Sequence, residues 1–259
     1  SGRTLLFATG TFTNVNANTL SGGSYDLAGT LQFDNASITT VAANLILDGP
    51  GGRIINHSAA DLLANFTTIA SQGSLSLRNG VNFTRASFVN RGNLLLDTGC
   101  IFSAANFTQS GGAATFNGTF SGSTVLLESG GTAHFNTNTA IATATIAGGT
   151  LSGSGDVTIT SSLSWSSGTM SGSGKTILTA GATASLTGVS NKGLNRTWDS
   201  AGQVTYSGTN LFFGFFENKA GAINNLPGGV FQVTGEGDFT QHFSTVHAFT
   251  NAGLFAKTG

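Results

Sequence analysis

The stretch Asn65-Phe-Thr-Thr-Ile-Ala-Ser-Gln-Gly73-Ser-Leu-Ser-Leu-Arg-Asn-Gly-Val-Asn82-Phe-Thr-Arg-Ala-Ser-Phe88-Val-Asn-Arg-Gly92-Asn-Leu-Leu-Leu96 decides the fold. In it, a glycine followed by a small or polar residue and then an apolar one appears twice, 19 residues apart. The same signature continues at Gly112, Gly131, Gly149 and Gly168, at intervals of 20, 19, 18 and 19 residues. A fixed period of this length is the mark of a repeat architecture. Two residues after each glycine stands Leu75, Leu94, Ala114, Ala133, Leu151 or Met170, and four after the first four stands Leu77, Leu96, Phe116 or Phe135. Apolar residues two apart follow the strand period, and the Gly/Asn/Ser/Thr clusters between them supply turns. Ten after the glycine, Phe83, Phe102, Ile141, Ile159 and Leu178 recur, with Phe120 two places early; four before it stand Ile69, Phe88 and Leu127.

A unit of about 19 residues cannot bury a core by itself, because each short strand needs neighbours. Stacking one unit on the next supplies them. The expectation is all-β: a single-stranded parallel β-solenoid of about a dozen coils, a rod on the order of 55–60 Å long at the usual strand spacing. Like residues then pile into columns, and Asn and Thr ladders bond up the stack. Residues 61–188 hold the regular repeats, while 1–60 and 189–259 read as less regular coils of the same single domain. Gly10 and Gly29 continue the phase towards the start, placing Phe12, Leu31, Phe33 and Ile38 inward. The stretch from Gly49 to Gly52 blurs one coil. Gly202 and Gly221, again 19 apart, extend the phase with Phe212 and Phe231 ten residues after each.

Composition narrows the function classes. The 38 glycines and the abundance of Ser, Thr and Asn oppose helix. Charged residues are 8% of the chain and the formal net charge is −1, so no basic patch can track phosphates and nucleic acid is not an expected partner. The longest apolar run, Leu211 to Phe216, is far short of a membrane span, so this segment is not expected to insert. A sparsely charged hydroxyl- and amide-rich surface reads as extracellular. The lone Cys100 excludes an internal disulfide and reads as a small core residue. Neither terminus looks native, which suggests a segment cut from a longer exported chain.

Candidate chemistry is thin. The carboxylates Asp26, Asp34, Asp48, Asp61, Asp97, Glu128, Asp156, Asp199, Glu217, Glu236 and Asp238 are spread along the chain. Asp34 and Asp97 share one register, and Asp26, Glu128 and Asp199 another, but several coils apart. A polysaccharide lyase or hydrolase on this fold needs two or three carboxylates on neighbouring coils. Glu236-Gly-Asp238 reads as a turn. Of His57, His134, His242 and His247, only the last two are close, at a spacing unusual for metal ligands. No catalytic, metal or cofactor site is expected. The pieces Ser152-Gly-Ser-Gly-Asp156 and Ser171-Gly-Ser-Gly-Lys175 lack phosphate-loop spacing and, being 19 apart, are solenoid turns.

Three features invite a binding reading. Sequons at Asn35, Asn56, Asn65, Asn82, Asn106, Asn117 and Asn195 can accept glycans in a glycosylating pathway, but the favoured reading is that they place Phe inward with Asn and Thr in turns or ladders. Thr11-Phe-Thr13, Thr143-Ala-Thr145 and Thr158-Ile-Thr160 would make an ice-facing array only if they recurred on one face of most coils, which Thr-x-Thr does not. Trp165, Trp198 and Tyr206, with the Phe212–Phe216 run, are candidates for a glycan-stacking platform. Trp198 also falls on an expected inward position.

The runs Asn106-Phe-Thr-Gln-Ser-Gly-Gly, Phe88-Val-Asn-Arg-Gly-Asn-Leu and Phe249-Thr-Asn-Ala-Gly-Leu resemble the repeats of large bacterial secreted surface proteins, the filamentous-haemagglutinin-like and autotransporter-passenger adhesins. The resemblance is one of repeat style over most of the chain. It implies export, a rod-like stalk, passenger or filament subunit, and adhesion to a surface polysaccharide or to a receptor on a host or neighbouring cell. Exposed edge coils would allow end-to-end self-association. A polysaccharide-active enzyme and a glycan-binding module are the alternatives.

Overall fold

The computed structural model describes residues 3–7, 12–215, 219–242 and 246–259. Among them there is no helix: short strands and turns wind as a parallel β-solenoid of about 12 turns. Each regular coil contributes three stretches of strand, and so three faces.

The first face carries the glycine signature. Ser74–Arg78, Asn93–Leu96, Ala113–Phe116 and Thr132–Phe135 pair in parallel without slip. Leu75, Leu94, Ala114, Ala133, Leu151 and Met170 are successive partners, so the six positions aligned by glycine form one column. Leu45 extends it at one end and Leu194 at the other. Beside it run Leu47, Leu77, Leu96, Phe116 and Phe135. The second face stacks Phe83 on Phe102 on Phe120, and further along Ile141 on Ile159 on Leu178. The third stacks Phe88, Phe107, Val125, Ala144 and Leu163.

The columns explain why a 19-residue unit suffices. Rings one coil apart meet nearly parallel: Phe83 and Phe102 at 5.5 Å and 16°, Phe116 and Phe135 at 5.0 Å and 13°. Such pairs add about 0.5–1.5 kcal/mol to the burial of each ring. Where a coil turns the corner, Gly92 has no room for a side chain, since a Cβ would lie 2.1 Å from the Gly73 carbonyl oxygen. Cys100 is wholly buried, as a small core residue.

The ends depart from this regularity. Thr4–Leu6, Thr30–Gln32 and Arg53–Ile55 form a separate three-stranded parallel sheet. Leu31, Phe33 and Ile38 are buried there and Phe12 is half-buried, as their phase predicted; Gly10 and Thr11 lie outside the described residues. Val15–Asn16 pairs antiparallel with the start of Thr19–Leu27 through a turn in which Ala17 and Asn18 have φ of 45° and 62°.

Three alignments are corrected. Ile69 stacks on Asn90, not Phe88, because the turn after Ile69 holds two more residues than the turn after Asn90. Phe88 belongs to the column of Phe107 and Val125. Gly202 and Gly221 are not equivalent: the strand after Gly202 pairs with Val230–Val233, whereas that after Gly221 pairs with Thr197–Ser200. Accordingly Phe231 is buried between Val204 and Phe255, while Phe212 lies on another face, half-buried. From Met170 onward the partners are 24 to 28 residues apart on several faces, as in Met170–Leu194 and Phe213–Gln241, so a fixed period drifts from face to face.

Candidate binding surface

On the third face the inward columns alternate with outward ones. Thr124, Thr143, Ser162 and Thr183 are successive partners, and two residues along run Thr145, Ser164, Ser185 and Thr205. All of these are half-buried or exposed. Ser162 Oγ donates to Thr143 Oγ1 at 3.3 Å, tying one rung to the next. The result is a double row of hydroxyls with a rung about every 4.8 Å and about 6.6 Å between the rows. Thr-x-Thr does not recur, but the hydroxyl does, because Ser fills the rungs where Thr is missing. Thr158-Ile-Thr160 lies on the second face and is no part of this array.

The aromatic platform is overturned. Trp165 and Trp198 are wholly buried and Tyr206 is 1% exposed. Trp165 and Tyr206 occupy the inward column Ile146–Trp165–Leu186–Tyr206–Val233, and Trp198 sits between Thr176 and Ile223. The two indoles meet edge to face at 6.4 Å. None offers a ring face to a sugar. Phe216 lies outside the described residues.

The sequons divide by position. Asn35, Asn65, Asn82 and Asn106 are exposed, and Asn56 and Asn117 are half-buried. Phe66, Phe83 and Phe107 of the Asn-Phe-Thr copies all point inward. Asn117 accepts from Asn136 Nδ2 at 2.8 Å as part of a ladder. Asn195 is corrected as an acceptor site: it is 1% exposed and its Nδ2 donates to the Phe215 carbonyl at 2.8 Å, so the folded chain does not present it.

Several carboxylates serve as staples between coils. Asp34 meets His57 Nδ1 at 2.5 Å and accepts the His57 amide at 2.8 Å. That amide, with the imidazole, holds the Asp34 carboxyl below its usual range. Asp97 faces Arg78 at 3.8 Å, Asp199 binds Lys175 at 2.9 Å and Asn224 at 2.7 Å, and Glu236 meets Lys257 at 3.3 Å. The shared registers expected for Asp26, Glu128 and Asp199 do not hold, since these residues belong to three different faces. Glu217 lies outside the described residues. Among the described residues, no group of three His, Cys, Asp or Glu side chains could hold a metal ion. His247 Nδ1 accepts the Gly221 amide at 3.1 Å.

A cleft of about 410 Å³ opens where the three-stranded sheet meets the shaft. Leu47, Ile55, Leu63, Val81 and Phe83 give it an apolar floor, with Arg53, Asp61 and Arg85 at its rim. The rim groups are bonded within the fold: Arg53 Nε donates to Thr30 Oγ1 at 2.9 Å. Arg85 lies 4.2 Å over the Phe83 ring and donates to the Phe66 and Thr84 carbonyls at 2.7 and 2.6 Å and to that of Leu63. Burial lowers its pKa, with Asp61 acting the other way. Asp61 Oδ1 accepts the Leu63 amide at 2.8 Å, which closes a tight turn within the loop.

No protein-family model, curated protein or solved structure matches the chain.

Proposed function

We propose that this chain is a non-catalytic structural and adhesive segment of an exported surface protein: a stalk, passenger or filament subunit acting outside the cell. The observation that carries this reading is the double hydroxyl row, complete on the three successive rungs Thr143/Thr145, Ser162/Ser164 and Thr183/Ser185. A single hydroxyl–ligand contact is weak, but many on a stiff support engage a repetitive polysaccharide or a crowded receptor surface together, and affinity grows by multivalency. Asp34, Asp97, Asp199 and Glu236 fit the same reading, since each is spent on holding one coil to the next.

The ends support self-association. Among the described residues, the exposed large apolar side chains gather at Leu5, Leu6 and Phe7 at one end, and at Phe239, Val246, Leu254 and Phe255 at the other; Ile101 and Val189 stand apart from both. A second copy stacked head to tail would continue the parallel pairing and cover both patches.

The test uses the whole chain, free and displayed in many copies on beads, against a glycan array and against cells. Retention of the beads, weak binding of the free chain, and loss of retention on replacing Thr145, Ser164 and Ser185 by Glu are expected. Undiminished retention by the triple variant, or release of reducing ends or unsaturated uronides from an arrayed polysaccharide, would overturn the reading.

A further inference from the structure

At the corner between the first and second faces, a groove of about 600 Å³ runs along the rod axis. Two turns along its floor are built on glycine. Gly153 and Gly172 have φ of 111° and 90°, and a Cβ on either would lie 2.1 or 2.2 Å from the carbonyl oxygen of the coil behind. Ser154 and Ser173 stand exposed on successive coils along it, and exposed Lys219 marks the rim at the far end.

Beneath that end lies an uncommon group. Arg196 is 2% exposed, and its guanidinium donates to the carbonyls of Ser171 and Gly155 at 3.1 Å each and of Lys175 at 2.6 Å. It makes no ion pair with a described carboxylate, although Asp156 lies near enough to act on its charge. Its Nε, and the Oδ1 of the neighbouring buried Asn195, find no partner among the described residues. Burial pushes the guanidinium pKa down to about 10, the direction of a charge short of compensation. Two cations at one end and the hydroxyls of Ser173 and Ser154 on the two coils next to it match a ligand with an acidic group on a polyhydroxyl backbone. The coil spacing of about 4.8 Å is comparable to the length of one pyranose unit, so successive sugars would meet successive coils.

We propose that this groove binds an extended uronate-bearing oligosaccharide, with a carboxylate at the Lys219 rim above Arg196 and sugar hydroxyls on Ser154 and Ser173. This deepens the adhesive reading by naming a ligand class, and rests on it only for the absence of turnover.

The experiment is calorimetric titration of the intact chain with oligogalacturonate, its methyl ester and monomeric galacturonate. Saturable binding of the acid oligomer is expected, weakening with salt, with the ester and the monomer markedly weaker. Lys219→Ala should weaken binding about fivefold, the scale of one exposed charge. Ser173→Phe, which plugs the groove from an exposed position, should abolish it with the melting temperature unchanged. No binding, equal binding of acid and ester, or binding untouched by Ser173→Phe would overturn the proposal. Loss of the groove with cell retention intact refutes the groove alone. Cleavage of the bound oligomer refutes the non-catalytic reading and leaves the groove standing.

Discussion

Asn90 Nδ2 donates to Gln109 Oε1 across 3.0 Å from one coil to the next, with both side chains wholly buried. The two sit in an otherwise apolar column, between Ile69 and Leu127. Their other atoms are satisfied by the adjacent turns: Asn90 Oδ1 accepts the Gly92 amide at 3.2 Å, and Gln109 Nε2 donates to the Gly111 carbonyl at 2.6 Å. The pair pins the corner that carries the glycine signature.

Asn90→Leu alone should therefore cost about 1–3 kcal/mol, since it orphans the Gln109 carbonyl and the Gly92 amide. Replacing both by Leu continues the apolar column and should cost less than the two single changes added, with a coupling of about 1 kcal/mol or more. Urea titrations of the four proteins in the cycle give the answer. Simple additivity would show that the buried bond does not hold the corner.

Glycines that look alike in the sequence should respond differently to alanine. Gly80 has φ +82° and open space where a Cβ would go, so Gly80→Ala should cost about 1–2 kcal/mol from backbone conformation alone. Gly112 has φ +57° and a Cβ position 2.0 Å from the Gly92 carbonyl oxygen, so the clash should add about 1–3 kcal/mol to a similar backbone cost. Gly92→Ala isolates the clash, because Gly92 has no positive φ. Denaturant midpoints should place Gly112→Ala lowest. If Gly80→Ala were equally damaging, the tight corner would not be what demands glycine.

Trp165 and Trp198 should emit at short wavelength and resist quenching by acrylamide, both being sealed in the interior. Trp165→Ala should cost about 3–5 kcal/mol through the cavity it leaves. Saccharides should leave the emission of both indoles unchanged. A saccharide-dependent change traced to Trp165 or Trp198 would restore them as a binding platform and contradict their burial.

The column from Leu75 to Met170 was legible because coil length there stays within 18 to 20 residues, so equal spacing in the chain means equal height in the stack. Legibility failed wherever a turn changed length. Phe88 fell out of step with Ile69 over two residues of turn, and Phe212 was carried onto another face. The hydroxyl rows escape a Thr-x-Thr pattern for a chemical reason: Ser162 and Ser164 present the same oxygen on the same rung. Arg196 and Lys192 were missed because charge usually means surface, yet both are buried. For Arg196 a signal existed, since Asn195-Arg196 stands where two preceding coils have Ser-Gly-Ser-Gly.

The two tyrosines make the interior visible to pH. Burial raises the pKa of Tyr25, and it pushes that of Tyr206 up to about 12. The Tyr206 hydroxyl donates to the carbonyls of Thr209 at 2.8 Å and Asp238 at 3.2 Å, which favours the protonated phenol. Phenolate absorbance of the folded chain should lag behind the ordinary tyrosine value near 10, with Tyr206 ionising last and Tyr206→Phe removing the upper step. Between about 10 and about 12 the unfolded chain releases a proton that folded Tyr206 keeps, so its contribution is full below that window and is lost as pH rises through it. Arg196 adds a slope of opposite sign in the same region: the unfolded guanidinium holds its proton above about 10 while the buried one releases it. The diagnostic quantity is therefore the difference between the parent chain and Tyr206→Phe in denaturant midpoint against pH, with the parent falling faster. Parallel curves, or a single phenolate step at the ordinary value, would mean that Tyr206 is open to water and that the coil joining Tyr206 to Asp238 is not closed as described.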